Sequence, residues 1–129
     1  MNTEIVKKLG TDIGFDIVKI TNADSFVEDE KAALKRFNDG YINDYPWYDK
    51  NRIKLMNRPA LLLEGAKSVI SLGASYLNPD TPDDGSGKLR GKIAKYALGD
   101  DYHKVLKKRL QLFCSQISEH VGREVKTRI

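Results

Sequence analysis

Residues 91–122 read GKIAKYALGDDYHKVLKKRLQLFCSQISEHVG, and their periodicity decides the fold. From Tyr102 onward the apolar positions recur at three and four residues, through Leu106, Leu110, Phe113, Cys114, Ile117 and Val121. That is the spacing of one helical face, because 3.6 residues complete a turn. Lys104, Lys107, Lys108 and Gln111 fall elsewhere on the cylinder. Asp100 or Asp101 stands where a capping side chain is expected, and Gly122 where a left-handed residue closes a helix. Residues 91–97 ahead of it read as a strand. The stretch therefore predicts a strand, a tight glycine turn and the longest helix of the chain.

Working outward, 68–77 (SVISLGASYL) is the most apolar run, short and partly β-branched, and reads as a central strand. Residues 15–20 (FDIVKI) alternate, with Phe15, Ile17 and Lys19 on one side and Asp16, Val18 and Ile20 on the other, which predicts a second strand. Between and around them lie helices. One covers 3–10, with Thr3 as N-cap and Gly10 or Gly14 as its end; another, capped by Asp24 or Ser25, runs to about Asn38 and is stopped by Gly40. One or two helical turns are expected within 48–56, and a turn or short helix at 60–64. Residues 78–88 hold two Pro, two Gly and three Asp, a composition that predicts an exposed loop. Residues 123–129 alternate again and read as a strand that the sequence leaves in mid-element. These readings give an α/β (α+β) class, a small mixed sheet with flanking helices, in a single domain spanning 1–129. They also carry the expectation that the sequence is a piece of a longer protein.

With 129 residues and 40% hydrophobic content, the chain is long enough to hold a core without disulfides or a structural metal. Its single cysteine, Cys114, excludes a disulfide framework and any multi-thiolate zinc or iron-sulfur ligand set within these residues. Cytoplasm is the expected compartment and no membrane partner is expected, since neither a signal peptide nor an apolar run of membrane-spanning length is present. Charge is uneven: residues 1–87 carry net −3 and residues 88–129 net +7. Such a basic block can attract nucleic-acid phosphate through counterion release, although lysines on a helix also serve simply as a solvated face.

The inventory for catalysis is thin. Only His103 and His120 are present, Cys114 sits on the inner helical stripe, and no nucleophile, base and orienting group occur together. No spacing of His, Asp and Glu matches a metal site, so neither a metal ligand nor a complete catalytic set is expected in the chain. One segment, 91–103, gathers polar and aromatic groups at a strand end, a glycine turn and a helix start, where ligands of α/β proteins tend to lie. Asp101, Tyr102 and His103 are placed there to meet a ligand. The plainer alternative is that the aspartate caps, the tyrosine packs and the histidine is solvated.

The same segment carries a resemblance. KIAKYALGDDYHKVLKKRL, preceded by LLLEGAKSVISLGASY and by GFDIVKIT near the amino terminus, resembles the amino-terminal part of the epoxyqueuosine reductase family, in the family's order. The resemblance implies a cobalamin-dependent iron-sulfur enzyme that reduces an epoxide on a modified deazaguanine at the tRNA wobble position, giving queuosine. It implies that Ala94, Lys95 and Tyr96 lie beside the corrin, and that Asp101, Tyr102 and His103 line the cobalamin and substrate pocket. It places Lys104, Lys107 and Lys108, with Arg109, within reach of tRNA phosphate.

The family's general-acid aspartate follows a strand like VKTRI, so on this resemblance it falls just after Ile129. The ligands of two 4Fe-4S clusters likewise lie outside the chain, and a flavodoxin or ferredoxin is the implied electron donor. One departure stands out: Met56 occupies a position where many members have arginine, leaving Arg52, Lys54 or Arg58 to contact the corrin in its place. Two other readings remain beside this one, a basic α/β module that binds RNA or another partner without catalysis, and a related cobalamin reductase of another substrate.

Overall fold

The structure, a computed structural model, describes residues 2–76, 94–97 and 99–129. In chain order it comprises α1 (Thr3–Asp12), β1 (Ile17–Asn22), α2 (Val27–Asn38), α3 (Lys50–Asn57), α4 (Pro59–Leu62), β2 (Ser68–Gly73), a 3-10 turn (Lys95–Ala97) and α5 (Tyr102–Val121). β1 and β2 pair antiparallel, and Asp16 N donates to Gly73 O at 2.9 Å where the start of one strand meets the end of the other. Helices around a small sheet are the class the periodicities predict. By internal packing the chain divides into two units, one of Met1–Lys19 and Leu72–Thr127, the other of Ile20–Ser71.

In the first unit α1 packs on α5. Val6, Phe15, Val18, Phe113 and Ile117 are its buried apolar residues, and Phe15 meets Phe113 edge-on with ring centroids 6.4 Å apart. Burying aromatic and branched side chains supplies most of the stabilisation of such a core, about 1.5–3 kcal/mol for each. Gly10 allows the close approach: a Cβ there would sit 2.7 Å from Val18 Cγ2. α5 begins at Asp101, whose side chain accepts from His103 N, and ends at Gly122 with φ 71°, as its sequence predicts.

In the second unit α3 packs on α2 and on α4. Ile53 is fully buried, and Pro59 begins α4, where the proline's missing N–H costs nothing. Phe26, just ahead of α2, and Ala33, Leu34 and Phe37 on it are half-buried. Asp49 caps α3 by accepting from Arg52 N at 2.7 Å. Tyr45, Trp47 and Tyr48 stack edge-to-face just ahead of it, at 5.9 and 5.6 Å.

Several expectations need correction. The strand expected over 91–97 is a 3-10 turn across Lys95–Ala97, closed by Ala97 N donating to Ala94 O at 2.9 Å. Lys95, Tyr96 and Ala97 are all exposed, so no buried face holds these described residues extended. Residues 91–93 lie outside the described set, as does the loop expected over 78–88. The strand expected at 123–129 is irregular: Val125 N, which a ladder would need, donates instead to Ser118 Oγ at 3.1 Å. Among the described residues the sheet is thus the antiparallel pair rather than a mixed sheet. Asn2, not Thr3, caps α1, its Oδ1 accepting from Glu4 N at 3.0 Å. Phe26, not Asp24 or Ser25, is the N-cap residue of α2, and it makes no side-chain cap bond. Phe15 belongs to the turn before β1, because its N–H donates to Gly10 O, and the inward strand position is therefore Val18 while Ile17 is exposed.

Candidate functional site

The start of α5, the 3-10 turn and the chain just after β2 enclose a cleft of about 650 Å³ in the first unit. Its walls include Ser75 and Tyr76, Lys95 and Tyr96, and Tyr102 and Arg109 from α5. Three rings form a ladder: Tyr76 meets Tyr96 edge-on at 6.3 Å, and Tyr96 meets Tyr102 at 6.3 Å. All three are substantially exposed, 63%, 55% and 45% respectively. Exposed aromatic walls with few polar groups in a cleft of this size suit a ligand with a flat, partly apolar body. Val105 and Leu106 add an apolar floor.

Beside the cleft, Asp101 takes two hydrogen bonds from His103, one from its backbone N–H at 3.0 Å and one from ring Nδ1 at 3.0 Å. A carboxylate can only accept, so Nδ1 carries the hydrogen and Nε2 points away from the pair. The hydrogen bond from the imidazole, with that from the backbone N–H, holds the Asp101 carboxyl below its usual range. His103 also stacks on Tyr102, centroids 4.0 Å apart at 27°. One helix turn therefore delivers a fixed imidazole, an anion that orients it, and a ring of the cleft wall.

The residues singled out in the sequence fall into three places. Lys95, Tyr96 and Tyr102 line the cleft, with Ala94 at the start of the 3-10 turn and Asp101 and His103 adjoining it. Lys104, Lys107 and Lys108 are exposed on α5. Arg58 lies in the second unit, where Nε and Nη2 donate to the two carboxylate oxygens of Glu30 at 2.9 and 3.1 Å. Arg109 parts from the lysines: it is half-buried and donates from Nη1 to Gly14 O at 3.1 Å. Cys114 is half-buried on the inner side of α5. Among the described residues no three His, Cys, Asp or Glu side chains are grouped to hold a metal ion. Tyr76 and Arg109 are cleft residues that the reading of 91–103 missed. Both sit in segments quoted for the resemblance, SLGASY and DYHKVLKKRL, and that was the available signal.

A profile of the family described as "Epoxyqueuosine reductase QueG, DUF1730" matches residues 57–129, which include every described residue that lines the cleft. The chain belongs to the epoxyqueuosine reductase family. Relatives of that name include one from Cyclobacterium marinum, 38% identical over 94% of this chain, and one from Vibrio cholerae, 31% identical over 92%. This chain spans 38% and 32% of those two proteins' lengths. Among solved structures, epoxyqueuosine reductase from Streptococcus thermophilus superposes with a TM-score of 0.74 at 30% identity, over 92% of this chain and 32% of that one. The Bacillus subtilis enzyme, with a catalytic loop swung out of its active site, gives 0.72 at 26% identity over 90% and 31%. The fold described above is thus shared with a third of each epoxyqueuosine reductase structure. No helix among the described residues is long and apolar enough to cross a membrane.

Proposed function

We propose that this chain forms the cofactor- and substrate-facing part of a cytoplasmic epoxyqueuosine reductase, which removes the epoxide oxygen of epoxyqueuosine at the wobble position of tRNA. The observation that carries this reading is the tyrosine-walled cleft beside the Asp101–His103 pair, within the segment matched to the family. The overall change balances as two electrons and two protons taken up and one water released. The exposed rings of Tyr96 and Tyr102 suit a macrocycle's flat, largely apolar face, and their hydroxyls can meet its amide rim, so the residues present fit cobalamin. The chemistry supplied by bound cobalamin is the two-electron reduction, fed from two 4Fe-4S clusters and, before them, a flavodoxin or ferredoxin.

The chain's own residues bind and orient. Tyr76, Tyr96 and Tyr102 present ring faces and edges to the flat body of a ligand. Asp101 keeps the imidazole in one tautomer, so that His103 Nε2 accepts a hydrogen bond from the ligand when neutral or donates one when protonated. Protonation of the departing oxygen belongs to a general-acid aspartate carried elsewhere in the reductase, because an alkoxide leaves poorly without assistance. Lys104, Lys107 and Lys108 supply positive charge to tRNA phosphate.

The test is to reconstitute the intact gene product with cobalamin, record its absorbance and assay epoxyqueuosine tRNA. Cobalamin and iron-sulfur bands together with conversion to queuosine tRNA are expected. Both bands without conversion would make it a reductase of another substrate, and neither band would leave a binding module.

A further inference from the structure

We propose that Asp16 is a positioning residue for the cleft: it holds the backbone at Ser75 and thereby fixes Tyr76 in the wall beside Tyr96. The proposal rests on the reading of the cleft as the reductase's ligand site. β2 ends at Gly73, and a chain leaving a strand end ordinarily frays. Here it is pinned on both sides of Ala74. Asp16 N donates to Gly73 O at 2.9 Å, and Ser75 N donates to Asp16 Oδ2 at 2.6 Å. The second bond has an ionised acceptor, which makes it shorter and stronger than an amide–amide bond. Tyr76 follows at once and meets Tyr96 edge-on.

Asp16 can act as an anchor because its own position is fixed. Its neighbour Phe15 is buried against Phe113, and two residues back Gly14 O accepts from Arg109 Nη1. Gly14 has φ 98°, a conformation that glycine adopts without strain, and this turns the chain from α1 towards Phe15. The three residues Gly14, Phe15 and Asp16 thus work as turn, core plug and clamp. They tie the wall carrying Tyr76 to α5, the helix that carries Tyr102. The aspartate's short side chain suits this: its carboxylate reaches one backbone N–H directly across the strand pair, with no flexible arm to order.

The experiment uses the intact protein with Asp16→Ala, Asp16→Asn, Tyr76→Leu and the double change Asp16→Ala with Tyr76→Leu. Hydrogen exchange at the Ser75 amide is read without substrate, and KM and kcat are read with epoxyqueuosine tRNA. Asp16→Ala is expected to speed Ser75 exchange roughly tenfold, the effect of losing one charge-assisted bond. KM should rise while kcat changes much less, and Asp16→Asn, which keeps an acceptor oxygen, should recover most of both effects. The double variant should bind substrate no worse than Tyr76→Leu alone, because Asp16 acts through that ring. Unchanged Ser75 exchange in Asp16→Ala would overturn the clamp. A KM effect that adds in full to that of Tyr76→Leu would overturn the route through Tyr76. Should Asp16→Ala not fold, the near-isosteric Asp16→Asn still decides: exchanging the charged acceptor for a neutral one should speed Ser75 exchange about twofold to threefold, short of the tenfold of Asp16→Ala, and exchange unchanged in Asp16→Asn would overturn the clamp. Absence of turnover in the unsubstituted protein would sink the reductase reading and the substrate role with it, while Ser75 exchange still tells whether the clamp exists.

Discussion

Arg58 grips Glu30 with two nitrogens, Nε to Oε2 at 2.9 Å and Nη2 to Oε1 at 3.1 Å, joining the first turn of α2 to the junction of α3 and α4. The geometry is the parallel fork that suits guanidinium and carboxylate. Each partner keeps the other charged: the hydrogen bond from Arg58 draws the Glu30 carboxyl down against the opposing effect of desolvation, and the bond to Glu30 raises Arg58. An arginine so engaged can reach a corrin only by giving up this pair.

The pair sets an acid limit on stability. Glu30's folded pKa lies below its unfolded value of about 4.5, so its contribution is complete above that value. It is lost as the pH falls through the lowered folded pKa. Glu30→Gln is expected to reduce the melting temperature at neutral pH, and the gap from the unsubstituted protein should close as the pH falls below 4.5 and through the lowered folded value. Thermal melts across that range check this. A gap that stays constant would remove the pair from the acid response.

Gly10 sets two effects against each other. Alanine in a helix interior is favoured over glycine by about 1 kcal/mol. Its Cβ, however, would lie 2.7 Å from Val18 Cγ2 and 3.5 Å from Phe113 Cε2, in the buried core of the first unit. Overpacking of that kind costs about 1–3 kcal/mol, so the clash should win or at best cancel the propensity. Gly10→Ala is expected to lower the denaturant midpoint, and Val18→Ala in the same chain should cost less than it does alone. A clear rise in midpoint for Gly10→Ala would mean that α1 slides freely on β1.

What could be read in the sequence was what repeats. α5 showed its bounds because twenty residues hold one period, with Asp101 and Gly122 as chemical end marks. The segment around Tyr96 and the residues after Gly122 were misread because seven residues, alternating in the second case, carry little information once no buried face enforces an extended form. The interactions that build the cleft left no periodic trace at all. Ser75 to Asp16 spans 59 residues and Arg109 to Gly14 spans 95; in the other unit, Arg58 to Glu30 spans 28. They join exposed or half-exposed polar groups, whose pairing depends on the fold rather than on local pattern. Asp101 and His103 were legible because they act within one helical turn, whereas Tyr76 entered the site only through the folded chain.

The α5 lysines can be separated from their neighbour. Lys104, Lys107 and Lys108 are exposed, while Arg109 is half-buried and spends Nη1 on Gly14. Replacing the three lysines by glutamate in the intact protein is expected to weaken tRNA binding and to flatten its salt dependence, by up to about one unit of log–log slope for each phosphate no longer neutralised. The fold should survive, since none of the three is buried. Binding isotherms at several salt concentrations provide the check, and an unchanged slope would assign these lysines to solvation alone.

The Asp101–His103 pair yields the sharpest expectation for chemistry. Because hydrogen bonds from the imidazole and the backbone hold the Asp101 carboxyl down, its contribution to the start of α5 persists above the ordinary carboxyl range and fades only as the pH falls through the lowered value. Asp101 should therefore add no limb to a turnover profile near neutrality. His103→Ala removes the group whose Nε2 faces away from the pair, and if that atom exchanges a proton with the ligand the loss in kcat should be roughly a hundredfold or more. Asp101→Asn separates orientation from charge. Its amide oxygen can still accept from His103 N and from Nδ1–H, so it caps α5 and holds the same tautomer. Turnover should then fall far less than in His103→Ala, with melting temperature little changed. A loss as large as that of His103→Ala would show that the carboxylate's charge, and not only the tautomer it fixes, is needed.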